Sequence, residues 1–169
     1  MAKAEAVFIY IGTYPNEGAA RGDYAVVKDL HDVGAIGTYD AAVITKDAEG
    51  KVHVNKDETA TRRGAWGGAA VGAVVGILFP PSIIGSALVG AAVGGVGGHL
   101  WRGMSRADIK EFGEIIDEGR AALVIVGEST LRQAVDKAGL KADKHVTKDL
   151  DVRPEDVDKA VQEAAKDVS

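Results

Sequence analysis

Residues 64 to 101, GAWGGAAVGAVVGILFPPSIIGSALVGAAVGGVGGHLW, contain no Lys, Arg, Asp or Glu, although the whole chain is 27% charged. No other feature restricts the fold as much. Gly64, Gly68, Gly72 and Gly76 recur at every fourth position, and after Pro80-Pro81 so do Gly90, Gly94 and Gly98. A four-residue period sets glycines along one slowly drifting stripe of a helix, where a second helix can approach to backbone contact. Adjacent prolines cannot continue a helix. The segment 61–103 is therefore read as an inserted helical hairpin with a glycine zipper on each arm. Its tip lies at Phe79, Pro80 and Pro81.

Glycine in a solvated helix costs roughly 1 kcal/mol against alanine. Arms this rich in glycine are unstable as isolated helices, so they require lipid or protein around them. The flanks speak for lipid. Arg62 and Arg63 precede the first arm and Arg102 follows the second, so folding at the prolines brings all three to one end beside Trp66 and Trp101. Tryptophans at headgroup level with basic residues outside them form an interfacial anchor. Length speaks against a simple two-pass span, which needs about 20 apolar residues per helix. Gly64 to Phe79 reaches only roughly 24 Å at 1.5 Å per residue. A re-entrant or monotopic hairpin fits at least as well as a short tilted pair. The competing expectation is a soluble homo-oligomer, a shell or ring, with the hairpins buried between subunits. Both predict self-association.

Outside this segment the pattern is that of an ordinary α+β domain. Ala6 to Tyr14 (AVFIYIGTY) and Ala121 to Val126 (AALVIV) are apolar on both faces, as central strands are. Both faces of the sheet must then be covered, the second by the C-terminal helix or by another subunit. Ala20, Tyr24, Val27 and Leu30 make one face of a helix closed by Gly34. Tyr39 to Thr45 and Lys51 to Asn55 read as a hairpin around the polar turn KDAEG. Ser105 caps a helix through Ile116 with Ile109, Phe112 and Ile116 on one side. Leu131, Ala134, Val135 and Ala138 form a short helix ending at Gly139, His145 to Leu150 a short strand, and Pro154 opens a final helix. The order strand, helix, strand, strand, insertion, helix, strand predicts a ferredoxin-like βαββαβ domain. On this reading the domain comprises 1–60 and 104–140, the hairpin 61–103, and residues 141–169 form a C-terminal extension.

The net charge of -5 gives no footprint for a nucleic-acid partner, and with no cysteine there is neither a disulfide nor a thiolate metal site. The apolar run at Val7–Ile11 is too short for a signal peptide, which places the chain in the cytoplasm. His31, His53, His99 and His145 fall in separate elements with no metal-ligand spacing. Gly94 to Gly98 follows no strand and lacks GK[ST], so it reads as helix packing and not a phosphate loop. The acidic run Asp108, Glu111, Glu114, Asp117 and Glu118 reads as a solvated helix face. No serine has a nucleophile context. No cofactor is implied.

The succession DLHDVGAIGTYDAAVITKDAEGKVHV, glycine-rich insertion, MSRADIKEFGEIIDEGRAALVIVGE resembles a bacterial family known as a domain of unknown function, whose members are commonly labelled membrane or stress-associated proteins. The likeness covers roughly residues 5 to 130. It implies a ferredoxin-like domain with a glycine-zipper insertion, and it brings no catalytic residues. The resulting expectation is a non-enzymatic cytoplasmic protein that assembles with itself through Gly64, Gly68, Gly72, Gly76, Gly90, Gly94 and Gly98. Arg62, Arg63, Trp66, Trp101 and Arg102 would face the bilayer on the inner side of the membrane. A small-molecule-binding ferredoxin-like domain is a further alternative.

Overall fold

The computed structural model describes residues 6–37, 39–55, 69–78, 102–118 and 121–168. These form β1 (Val7–Tyr14), α1 (Glu17–Asp32), β2 (Tyr39–Lys46), β3 (Val52–Asn55), α2 (Ala69–Leu78), α3 (Arg106–Glu118), β4 (Ala121–Glu128), α4 (Thr130–Ala138), β5 (Lys144–Leu150) and α5 (Pro154–Val168). The fold is mixed α+β, with one five-stranded sheet in the order β3-β2-β4-β1-β5. Every neighbouring pair is antiparallel.

Local chemistry sets the element ends. Asn16 caps α1, its side chain accepting from the Ala19 N–H at 2.8 Å, and Glu17 pairs with Arg21 one turn on at 2.9 Å. Beyond the last turn Gly34 takes φ 78°, where a side chain would be strained. Ser105 and Asp108 form a reciprocal capping box at α3, with bonds of 3.0 and 3.1 Å. Gly139 ends α4 at φ 61°. Ser129 stands at the start of α4, and its side chain makes no capping bond there.

The sheet is the middle of three layers. On one face Phe8, Tyr10, Tyr14, Leu123 and Ile125 pack beneath α1 and α4. On the other Ile9, Ile11, Ile44, Val124 and Val126 pack beneath α2, α3 and α5. All eight residues of β1 are buried, as two-sided cover requires. The C-terminal helix does share that cover, through Val157 and Ala160, together with two helices of the same chain.

The connectivity differs from the order expected above. β1 and β2 run parallel with β4 between them, joined by α1. β4 and β5 run parallel with β1 between them, joined by α4. The second crossover is therefore 130–138, and the helix expected in that role, at 105–116, lies on the opposite face. β3 is an edge strand paired with β2 alone among the described residues. β5, assigned from sequence to a C-terminal extension, pairs with β1 from Val7↔Leu150 to Thr13↔Lys144.

Candidate assembly surface

Of the first glycine-rich arm, residues 69–78 are described; they form α2, which lies on the sheet of its own chain. Val71, Val74 and Val75 are fully buried in the core shared with β2, β4 and α3. The GAWGG segment before α2 contains no Ser, Thr, Asn or Asp to cap it. The cap comes from the sheet instead. Asp40 on β2 is 5% exposed, and its carboxylate accepts from the Val71 N–H at 3.0 Å. A carboxylate at this end also complements the helix dipole.

With 3.6 residues per turn, Gly76 falls roughly 150° around α2 from the centre of the valine side. It is exposed. Gly72 sits one turn earlier on the same helix. The helix thus turns Val71, Val74 and Val75 inward and Gly76 outward. Gly64, Gly68, Gly90, Gly94 and Gly98 lie outside the described residues, as do Arg62, Arg63, Trp66, Trp101 and the tip Phe79, Pro80 and Pro81. Arg102 is described and exposed. Next to it, Gly103 passes so close to the Val152 side chain that a β-carbon there would collide with it. The chain needs glycine at this re-entry to the core.

Two polar clusters sit elsewhere, and both join elements together. On the α1 face Tyr14 donates to Asp23 at 2.6 Å, and the Lys141 N–H donates to the same oxygen at 2.7 Å. The Tyr10 and Tyr14 hydroxyls lie 3.3 Å apart, and Tyr10 stacks on His145. Burial pushes both phenols above their ordinary value of 10.0, and for Tyr14 the bond to Asp23 adds to the rise. Both phenols stay protonated near neutrality. Sequence reading missed this cluster, because Tyr14 and Asp23 belong to apolar-patterned elements. On the opposite face Lys148 of β5 pairs with Asp108.

The Asp108–Lys148 contact gives a pH dependence. The bond from Lys148, helped by those from Ser105, holds the Asp108 carboxyl below its usual 3.8. A lowered carboxyl pKa contributes stability above the unfolded value and loses it as pH falls through the folded one. The same contact raises Lys148 above 10.5, so its share is lost at the alkaline end. We expect Lys148→Met to move the acid-unfolding midpoint upward, read by circular dichroism across an acid titration. An unmoved midpoint would remove the pair from the account.

His53 bonds Asp47 at 2.8 Å in the β2–β3 turn, and His31 contacts the Tyr39 ring. Among the described residues no three His, Asp or Glu side chains converge as a metal site.

A family model for proteins of unknown function, DUF1269, matches residues 65–163, more than half of the chain. This is a DUF1269 protein. No curated protein and no solved structure matches it. The DUF1269 match begins in the glycine-rich segment and runs through α2, α3, β4, α4 and β5 into α5, beyond the end of the resemblance at about residue 130. It leaves out β1, the strand that lies between β4 and β5.

Proposed function

We propose that this DUF1269 protein is non-enzymatic and cytoplasmic, and that it assembles with copies of itself through the glycine-lined side of α2. The observation that carries the reading is the orientation of that helix. Its valines are engaged by its own sheet, while Gly76 is turned outward where a second helix can approach closely. The Tyr14–Asp23 and Asp108–Lys148 pairs support the non-enzymatic part, since each ties two elements of the fold together. The two interlocked units β1-α1-β2 and β4-α4-β5 support a ferredoxin-like core beneath the assembling helix.

Gly76→Leu is the test. Leucine is a better helix former than glycine by about 0.8 kcal/mol, so the variant keeps or gains helix stability. Its side chain nevertheless blocks close approach. Sedimentation velocity should show wild-type oligomers and a smaller species for the variant at unchanged thermal stability. Equal sedimentation coefficients would reject the glycine stripe as the packing surface.

A second reading, association with the inner face of the membrane, is supported by the charge-free run 64–101 between Arg62-Arg63 and Arg102. No helix among the described residues is long and apolar enough to cross a membrane. α2 itself reaches about 15 Å, half of a typical hydrocarbon core.

A further inference from the structure

β5 ends the sheet. Among the described residues it pairs with β1 alone, which leaves its other side as an edge that another strand can join. Lys144, His145 and Asp149 along it are exposed. Lysine on an edge strand usually discourages pairing. Here the Lys148 charge is already taken up by Asp108 of the same chain. Side chains alternate across a strand. Val146, Lys148 and Leu150 therefore share the α3 and α5 side. His145, stacked on Tyr10, and Asp149, 3.2 Å from Arg132, share the α1 and α4 side with Thr147 between them.

We propose that β5 pairs antiparallel with β5 of a second copy of this chain, about a two-fold axis at Thr147, so that two five-stranded sheets join into one. The contact is separate from the glycine side of α2, which packs over β2 and β4, and it goes beyond the assembly reading just given. Symmetry and charge set the register. A two-fold axis normal to the sheet keeps each face on its own side, so it must pass through a residue. Thr147 is the middle of Lys144–Leu150, and only there do all seven residues overlap. In that register His145 meets the partner's Asp149, an imidazole opposite a carboxylate, and this occurs on both sides of the axis. Val146 meets the stem of the partner's Lys148, and Lys144 meets the partner's Leu150. Like charges directly across strands are destabilising, and neighbouring registers create them. An axis at Val146 sets Lys144 against the partner's Lys148. An axis at Lys148 or Asp149 sets that charge against itself. The Thr147 register alone combines full overlap with no like pair.

The chain has no cysteine, so one introduced thiol reports on its own surroundings. Residues directly opposite on antiparallel strands have Cα atoms about 4.5–5.5 Å apart, a separation a disulfide can span. The full chain carrying Thr147→Cys, oxidised with copper–phenanthroline, should run mostly as a covalent dimer on a non-reducing gel. Lys144→Cys is the control, because Lys144 stands roughly 20 Å from its own counterpart in this register. It should cross-link roughly tenfold less. Absence of the Thr147→Cys dimer, or an equal yield from Lys144→Cys, would overturn the proposal. His145→Asp sets carboxylate against carboxylate on both sides of the axis, and should weaken dimerisation roughly tenfold in sedimentation equilibrium. Unchanged association would overturn the register. Thr147→Cys is also oxidised in the Gly76→Leu background. A cross-link that persists there belongs to β5 whatever becomes of the glycine side of α2, and one that vanishes there would overturn a separate contact.

Discussion

Residues 65–163 alone, the portion matched by the family model, should be unfolded. β4 pairs with β1 on one side and β2 on the other, and both lie outside the fragment. β5 pairs with β1, from Val7↔Leu150 to Thr13↔Lys144. The fragment therefore holds two strands that do not touch, with β4 apolar on both faces and stripped of both neighbours. Isolated strands do not persist in water. We expect collapsed amide proton dispersion in the fragment's NMR spectrum and a cooperative transition only for the full chain. A well-dispersed spectrum from 65–163 would show that β1 is dispensable and the strand order incorrect.

The second large effect is at Asp23. Its carboxylate is 4% exposed and receives both the Tyr14 hydroxyl and the Lys141 N–H. Asp23→Ala leaves the buried Tyr14 hydroxyl with only the 3.3 Å contact to Tyr10 and takes the acceptor from the part-buried Lys141 N–H, a loss of about 3 kcal/mol. Tyr14→Phe removes one bond to a charged group and leaves the other, so about 2 kcal/mol is expected. The pair is coupled. In the Asp23→Ala background the Tyr14 hydroxyl keeps only its longer contact to Tyr10, so removing it costs little. Urea denaturation of both single variants and the double variant measures this. Strict additivity would mean that the two groups do not act through their mutual bond.

The strands that the sequence showed most clearly are those buried on both sides. The unbroken apolar runs in β1 and β4 also required a second covering layer, and the structure has one. β5 was harder to place, because KHVTKDL has only Val146 and Leu150 to mark an inward side, as an edge strand can. The wrong crossover helix has a different cause. A 3.6-residue period says that 106–118 and 130–138 each have one buried side, but it does not say which face of the sheet receives it. The bond from the Val71 N–H to Asp40 left a faint trace. An aspartate within YDAAVIT, and a glycine-rich helix with no local cap, are two anomalies that resolve each other once the chain is folded. The tyrosine–aspartate cluster left less, since its members are far apart in sequence.

The place of β1 has a consequence for how the chain is made. It is synthesised before both of its partners, residues 121–128 and 144–150. At roughly 5–20 residues per second, β1 waits several seconds to half a minute before β5 exists to pair with it. During that interval VFIYIGTY is an unpaired, doubly apolar strand with both edges open, the kind of segment that seeds aggregation. The contact order is high, and folding is correspondingly slow to close. Val7 to Tyr14 is therefore the segment of the nascent chain that most needs cover until residues 121–128 and 144–150 are made.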